Sequence, residues 1–362
     1  MFLTRVSIYN YRNLEGVEVS LSPFTVLVGP NGSGKSAFLE GLLLPYDIDR
    51  YGLRRAILSR SDQAENLSFR KGEHIAIRLV WDLKGEEAEY YVDVDPRGPT
   101  IVHESLRIRP GWMVERYGRM IHLTNSKTTI ELDEDAQDLS LASLMAKLHR
   151  HGFEEAGNLS ELARRLFRYP VTLLEGRRAW GGGTVGPGRT SVIRRIDALK
   201  THHQDAYRRW LGVLSIELGF PADGISDVLF QSDKKGLVRA YFVVGGKTIP
   251  ASDGQAWFAI LSALAYFPDE WRLHLIDNLE SWLSPDLVEG IFRILSESPE
   301  AQWIVVSYHP LIVRLIRPEN LLLFQRGEGG SATVIRGDQH PVLKNLSEGD
   351  DAASLFMARA FE

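Results

Sequence analysis

Eight residues constrain this chain more than any others: GPNGSGKS at 29–36. They follow the apolar run FTVLV and precede AFLEGLLL, so a strand is expected to enter a glycine-rich turn that opens a helix. Glycines in such a turn let successive backbone N–H groups face inward around phosphate oxygens, and the helix N-terminus adds positive potential. Lys35 then reaches the β- and γ-phosphates of a nucleotide, and Ser36 ligates Mg²⁺. The alternative is a glycine-rich turn that happens to hold a lysine, and the correct strand and helix on either side argue against it.

Composition bounds the rest. With 362 residues, 44% hydrophobic and 25% charged, the chain has enough apolar material for one large or two ordinary folded domains. The absence of cysteine excludes disulfides, thiolate zinc sites and a cysteine nucleophile, and is compatible with a reducing compartment. Arg5, Arg12 and Glu15 interrupt the N-terminus, leaving no signal-peptide apolar stretch. The uncharged run GQAWFAILSALAYFP at 254–268 falls short of the ~20 residues a membrane span needs and reads as a buried helix. A cytoplasmic protein without membrane contact is the expectation. Net charge is −5, yet the stretch from Arg164 to Arg209 carries eleven Arg or Lys against three acids, a local +8. Two readings stand: a site for DNA or another polyanion, or a solvated helix face whose arginines meet carboxylates elsewhere.

Along the chain, LTRVSIYNY, VEVSLS and FTVLVG read as strands. From about 75 to 131, short β-rich runs alternate with turns at Lys84–Gly85 and Pro96–Gly98, the pattern of antiparallel hairpins. SLASLMAKLHRHG, LSELARRLF and one long segment from about Ser191 to Gly219 read as helices, with the strand PVTLLEG and the loop GGGTVGPG between them. The long helix spans ~40 Å at 1.5 Å per residue, too short for a coiled-coil arm. After strands SDVLFQ and LVRAYFVVGG, the ending alternates helix and strand: helix 254–266, strand 272–277, helix 285–297, strand 302–307, helix 310–317. An α/β fold follows, divided as 1–74, 75–240 (hairpins and helices) and 241–362.

Three further stretches carry chemistry. LHLID at 273–277 is an apolar strand ending on Asp277, where alternate strands of such sheets meet phosphates and an Asp binds Mg²⁺. The next position, where a glutamate to activate water is expected, holds Asn278. An Asn amide orients water but cannot accept its proton near neutral pH. Glu280, two residues on, reaches the site only if the loop bends. SYHP ends the strand WIVV with His309, a residue that can hold the attacking water or sense phosphate, although a lone His is more often structural. Ser252 and Gly254 open the apolar helix at 254; together with its backbone N–H groups they form either an anion site or an ordinary N-cap.

In order and spacing, these stretches resemble the head domain of ABC-type ATPases of the RecF, SMC and OLD group. IYNYRNLEGVEVSLSPFTVLVGPNGSGKSAFLEGLLL resembles that group's opening, ASDGQ a degenerate signature motif, LHLIDNLESWLSP the Asp-Glu-Pro-Glu-x-x-Leu-His-Pro run, and SYHP the switch-histidine turn. The resemblance implies that Asn31, Gly32, Ser33, Gly34, Lys35 and Ser36 hold the phosphates of ATP and that Ser36 and Asp277 hold Mg²⁺. It also implies that Arg12 lies near the phosphates or base, and that Ser252 and Gly254 clamp the nucleotide of a second protomer, so that two copies sandwich two ATPs. Glu280 matches the second Glu of the run, and the Asn at 278 and Ser at 284 depart from it. Long arms and a nuclease domain, which some members carry, are not expected here.

What the resemblance implies is an oligomeric sensor or scaffold for a separate effector protein, in anti-phage defence or genome maintenance. A RecF-like repair ATPase binding DNA through 164–209 is one alternative and a transporter ATPase subunit another. In each case Asn278 leads to tight ATP binding with slow turnover.

Overall fold

A computed structural model describes the chain apart from residues 62, 110, 112, 125–126, 134–136, 151–165, 167–170, 176–186, 222, 233–237, 268–271, 282, 299–300 and 345–362. One sheet is antiparallel throughout. It contains β1 (Phe2–Tyr11), β2 (Leu14–Ser20), β4 (Ile75–Asp82), β5 (Glu87–Asp95), β6 (Thr100–Arg109), β7 (Met113–Tyr117), β8 (Met120–Leu123) and β9 (Thr128–Glu131), in the order β2-β1-β4-β5-β6-β7-β8-β9. Period-two patterning builds it: in β5, Ala88, Tyr90, Val92 and Val94 are buried while Glu87, Glu89, Tyr91 and Asp93 are not. Lys84 and Gly85 both take positive φ (64° and 104°), as a two-residue hairpin turn requires. Because β1 pairs with β4, this sheet runs across the boundary expected at 74/75. Its buried face packs on α1 (Lys35–Tyr51), α2 (Leu53–Leu58) and α3 (Leu141–Arg150).

One buried ion pair fastens α3 to this sheet. Arg116 and Glu104 are 1% and 0% exposed and lie 3.6 Å apart. The Tyr90 hydroxyl (2.6 Å) and the Leu141 N–H (2.8 Å) donate to Glu104, and Arg116 donates to the carbonyls of Gly118, Leu139 and Gln137. Burial raises the pKa of the Glu104 carboxyl and lowers that of the guanidinium, and the pair's attraction opposes both shifts.

The second sheet runs β10 (Val171–Glu175), β14 (Arg272–Asp277), β15 (Ala301–Val306), β3 (Phe24–Val28), β16 (Leu321–Arg326), β17 (Ala332–Arg336), parallel up to the antiparallel edge strand β17. β3 and β15 are buried on both faces, which accounts for their mostly apolar runs, with Thr25 and Gln302 the buried polar residues in them. A three-stranded sheet, β11 (Ile225–Ser232), β12 (Val238–Val244) and β13 (Lys247–Pro250), and the helices α4 (Pro187–His202), α5 (Gln204–Glu217), α6 (Asp253–Ala263), α7 (Pro285–Ser296), α8 (Pro310–Leu315) and α9 (Pro341–Lys344) make up the other described strands and α-helices. Within the run at 254–268 the helix expected there is buried but ends at Ala263, with every residue from Ala256 to Ala263 inside and a 3₁₀ turn over Leu264–Tyr266 after it. Among the described residues no helix is long and apolar enough to cross a membrane.

The single long helix expected from Ser191 to Gly219 is corrected to two. It breaks at His203, whose φ of −135° is outside the helical region. One carboxylate sits across the break: Asp227 accepts from Lys200 of α4 (2.5 Å) and from the Tyr207 hydroxyl of α5 (2.6 Å). The helix expected over LSELARRLF and the loop GGGTVGPG lie largely outside the described residues.

Candidate nucleotide site

β3 delivers the phosphate loop between two strands that come from the far end of the chain. Across the sheet, Asp277 pairs with Val306 and Val306 with Leu27, so the ends of β14, β15 and β3 lie level. Gly29 (φ 144°) faces the Phe324 carbonyl of β16, where an added Cβ would lie 2.0 Å from the oxygen. Gly32 and Gly34 also have positive φ, 76° and 105°, so the loop demands glycine at its sharp bends.

Lys35 is the buried centre of the site, 2% exposed. Its ammonium donates to the carbonyls of Gly29 and Pro30, each at 2.7 Å, and to the Ser33 hydroxyl at 3.3 Å. The Tyr308 ring lies beside it, 4.5 Å from Nζ to centroid. Burial lowers its pKa to about 8; Arg326 adds to the fall and Asp277 opposes it. One residue on, Ser36 donates its hydroxyl to Asp277 Oδ2 at 2.9 Å. The structure thus brings together two residues 241 positions apart that were singled out as Mg²⁺ ligands. Burial raises the Asp277 pKa, and the Ser36 bond and Lys35 hold it down.

Arg326 escaped the sequence reading. The guanidinium of this β16 residue donates to the Asn31 carbonyl and lies against Gly32, so Lys35 is not the only cation at the loop. Asn13 braces the other side, its amide donating to the Gly32 carbonyl at 3.2 Å. Arg12 itself pairs with Glu40 of α1 at 2.7 Å and donates to the Arg60 carbonyl. Its charge is therefore engaged one helical turn beyond Ser36.

After Asp277 the chain turns sharply. Asn278 takes φ 63°, a conformation Asn tolerates better than most residues, and the N–H groups of Asn278 and Leu279 both donate to the Val306 carbonyl. The bend carries Glu280 to the end of β15, where its carboxylate accepts from the Ser307 hydroxyl (2.9 Å) and the Tyr308 N–H (2.7 Å). His309 caps α8, with Nδ1 accepting from Leu311 N–H at 3.3 Å. A neutral ring in that state keeps its proton on Nε2, so Nε2 is a donor, suited to an oxygen of phosphate or water.

Ser252 closes a capping box with Gln255 at the start of α6. Gly254 is the second residue of that helix, and both stand in its opening turn rather than in the phosphate loop. In the basic stretch, Lys200 meets Asp227, Arg208 meets Asp205, and Arg195 lies 4.6 Å over the Phe267 ring.

Comparisons with known proteins bear on the fold and the kind of domain. A family model described as an AAA ATPase domain matches residues 1–79. An OLD nuclease of Thermus scotoductus is 22% identical over 387 residues, covering 95% of this chain and 66% of that protein. RecF, a DNA replication and repair protein, from Klebsiella pneumoniae is 51% identical over 90 residues, 25% of this chain and 22% of its own. This chain therefore spans less than two thirds of these relatives' lengths. A solved SMC head bound to the C-winged helix domain of ScpA has the same fold, with a TM-score of 0.57 at 12% identity over 92% of this chain and 98% of that one. Fold and site together define an ABC-type ATPase head. More particularly, the chain is similar to heads of the RecF, SMC and OLD kind, mixed α/β with antiparallel hairpins between its phosphate loop and its C-terminal strands.

Proposed function

We propose that this chain binds ATP with Mg²⁺, associates with itself around the nucleotide, turns ATP over slowly, and serves as a switchable sensor or scaffold for a separate effector in defence or genome maintenance. The observation that carries the reading is the Ser36–Asp277 contact of 2.9 Å beside the buried Lys35. Two hard oxygens suit Mg²⁺, which takes one or two protein ligands and completes its shell with phosphates and water. Among the described residues no group of three or more His, Cys, Asp or Glu forms a metal cage, which fits an ion held chiefly by its nucleotide. When bound, Mg²⁺ neutralises charge on the β- and γ-phosphates.

Slow turnover follows from what stands beside Asp277. Asn278 supplies no base, and Glu280 would have to give up two hydrogen bonds to become one. Ser252 and Gly254 open an exposed helix start suited to a second protomer's nucleotide. The test is single-turnover hydrolysis by the wild type, Asn278→Glu and Glu280→Gln. Slow wild-type turnover is expected, with Asn278→Glu faster by up to ~10²–10⁴ and Glu280→Gln little changed. Brisk wild-type hydrolysis that collapses in Glu280→Gln would instead make Glu280 the base.

DNA binding is a second reading, favoured by one surface. Arg50 and Arg55 each lie 5.3 Å from the centre of the exposed Tyr51 ring, and Arg54 and Arg55 line an adjacent groove with Leu58, Ser59 and Asp138. Guanidiniums around an aromatic ring suit a phosphate backbone with a stacked base. Much of the 164–209 stretch lies outside the described residues, and within its described part Lys200 and Arg208 are already paired with acids.

A further inference from the structure

Lys35 has a neighbour that a phosphate-binding lysine does not require. Its ammonium is enclosed on one side by the Gly29 and Pro30 carbonyls and the Ser33 hydroxyl, and on another by the Tyr308 ring at 4.5 Å. No carboxylate lies within ion-pair distance of it among the described residues; Asp277 acts on it only through space. The face of an aromatic ring attracts a cation weakly, and a phosphate attracts it strongly. The ring is also held in place. Tyr308 N–H and Ser307 O–H both donate to Glu280, which fixes the turn from which the ring projects.

We propose that Tyr308 is a displaceable cap on Lys35, a residue that tunes nucleotide affinity by covering the ammonium until phosphate takes its place, with Glu280 as its positioning residue. This rests on the phosphate-loop reading above and adds a specific cost to it: nucleotide must exchange a ring for an oxyanion at Lys35. Because Tyr308 is joined directly to His309, the first residue moved by arriving phosphate is the one next to the switch histidine. Glu280 thus has a role without chemistry, as the anchor against which the turn moves.

The experiment measures MgATP binding by calorimetry for the wild type, Tyr308→Phe, Tyr308→Ala, Glu280→Ala and Lys35→Ala. Alongside it, the acylation rate of Lys35 at pH 8 is followed by mass spectrometry, with melting curves to confirm folding. Tyr308→Phe keeps the ring and is expected to match the wild type. Tyr308→Ala is expected to bind MgATP about two- to thirtyfold tighter, the range a cation–π contact converts to, and to acylate faster at Lys35. Glu280→Ala should shift both readouts the same way by less. Equal affinity and equal labelling in the wild type and Tyr308→Ala would overturn the proposal. So would weaker binding in Tyr308→Ala alone, since the ring would then be supporting nucleotide. Should Tyr308→Ala fold poorly, faster Lys35 labelling in Glu280→Ala supports the cap and unchanged labelling overturns it. A Lys35→Ala protein that binds MgATP normally would sink the phosphate-loop reading itself, an outcome separate from these.

Discussion

Two buried cations in this molecule are treated in opposite ways. Arg116, inside the antiparallel sheet, has a carboxylate at 3.6 Å and three carbonyl acceptors. Lys35, at the end of the parallel sheet, has two carbonyls, one hydroxyl and a ring, with Asp277 bound instead to Ser36. Burial lowers the pKa of both groups. The first is neutralised within the fold and serves to hold it. Around the second the fold leaves positive charge for an incoming anion to neutralise. Burial of a charge therefore says little about its purpose until its counter-charge is located.

Breaking the first arrangement should have the largest effect. Arg116→Met leaves Glu104 buried without its partner and is expected to cost about 3–5 kcal/mol of stability, measured by urea unfolding. Adding Glu104→Gln should recover part of that loss, and a double variant as unstable as the single one would show that the pair was not the cause. Lys35→Ala is the counterpart. It should change unfolding by about 1 kcal/mol but weaken MgATP binding by about 10–10²-fold, since charge-assisted hydrogen bonds to phosphate are lost. Comparable stability losses in the two would erase the distinction between them.

The smallest effect sharpens the comparison by pH. In the free protein Lys35 loses its proton near pH 8, and bound phosphate requires the ammonium. Binding above pH 8 must therefore take up a proton, so MgATP affinity should fall about tenfold per pH unit there and be flat well below it. Arg326 depresses the same pKa, so Arg326→Gln should move the fall to higher pH. Calorimetry from pH 6.5 to 9.5 reads both, and a wild-type profile flat to pH 9.5 rejects the assignment.

Much of this was legible in the sequence because local patterns carried it. The phosphate loop and the Asp277 strand end sit on short, mostly apolar runs bounded by turn residues, and the hairpins from 75 to 131 alternate, most cleanly in β5. The break at His203 was not legible, since no Gly or Pro marks it and both helices are tied to Asp227, over twenty residues away. Tyr308 and Arg326 were missed for a similar reason. Each lies at or just beyond a strand end, and the strand order that sets those ends beside Lys35 is a property of the sheet. A rule applied to Asp277, that strands of such a sheet end at the phosphates, would have flagged Arg326 at the end of LLLFQR.

The close approach of Gly29 to the Phe324 carbonyl has a consequence for the growing polypeptide. β3 leaves the ribosome well before both strands that flank it, since β15 and β16 begin at residues 301 and 321. At about 5–20 residues per second, its apolar faces wait roughly 15–60 s for their neighbours. The hairpin sheet pairs mostly between strands close in sequence and can form meanwhile, holding α1 and the loop beside it. Competence for nucleotide is then acquired late in synthesis, so a nascent chain stalled before residue 321 would present a formed antiparallel sheet and an uncovered apolar strand, a substrate for chaperones rather than for ATP.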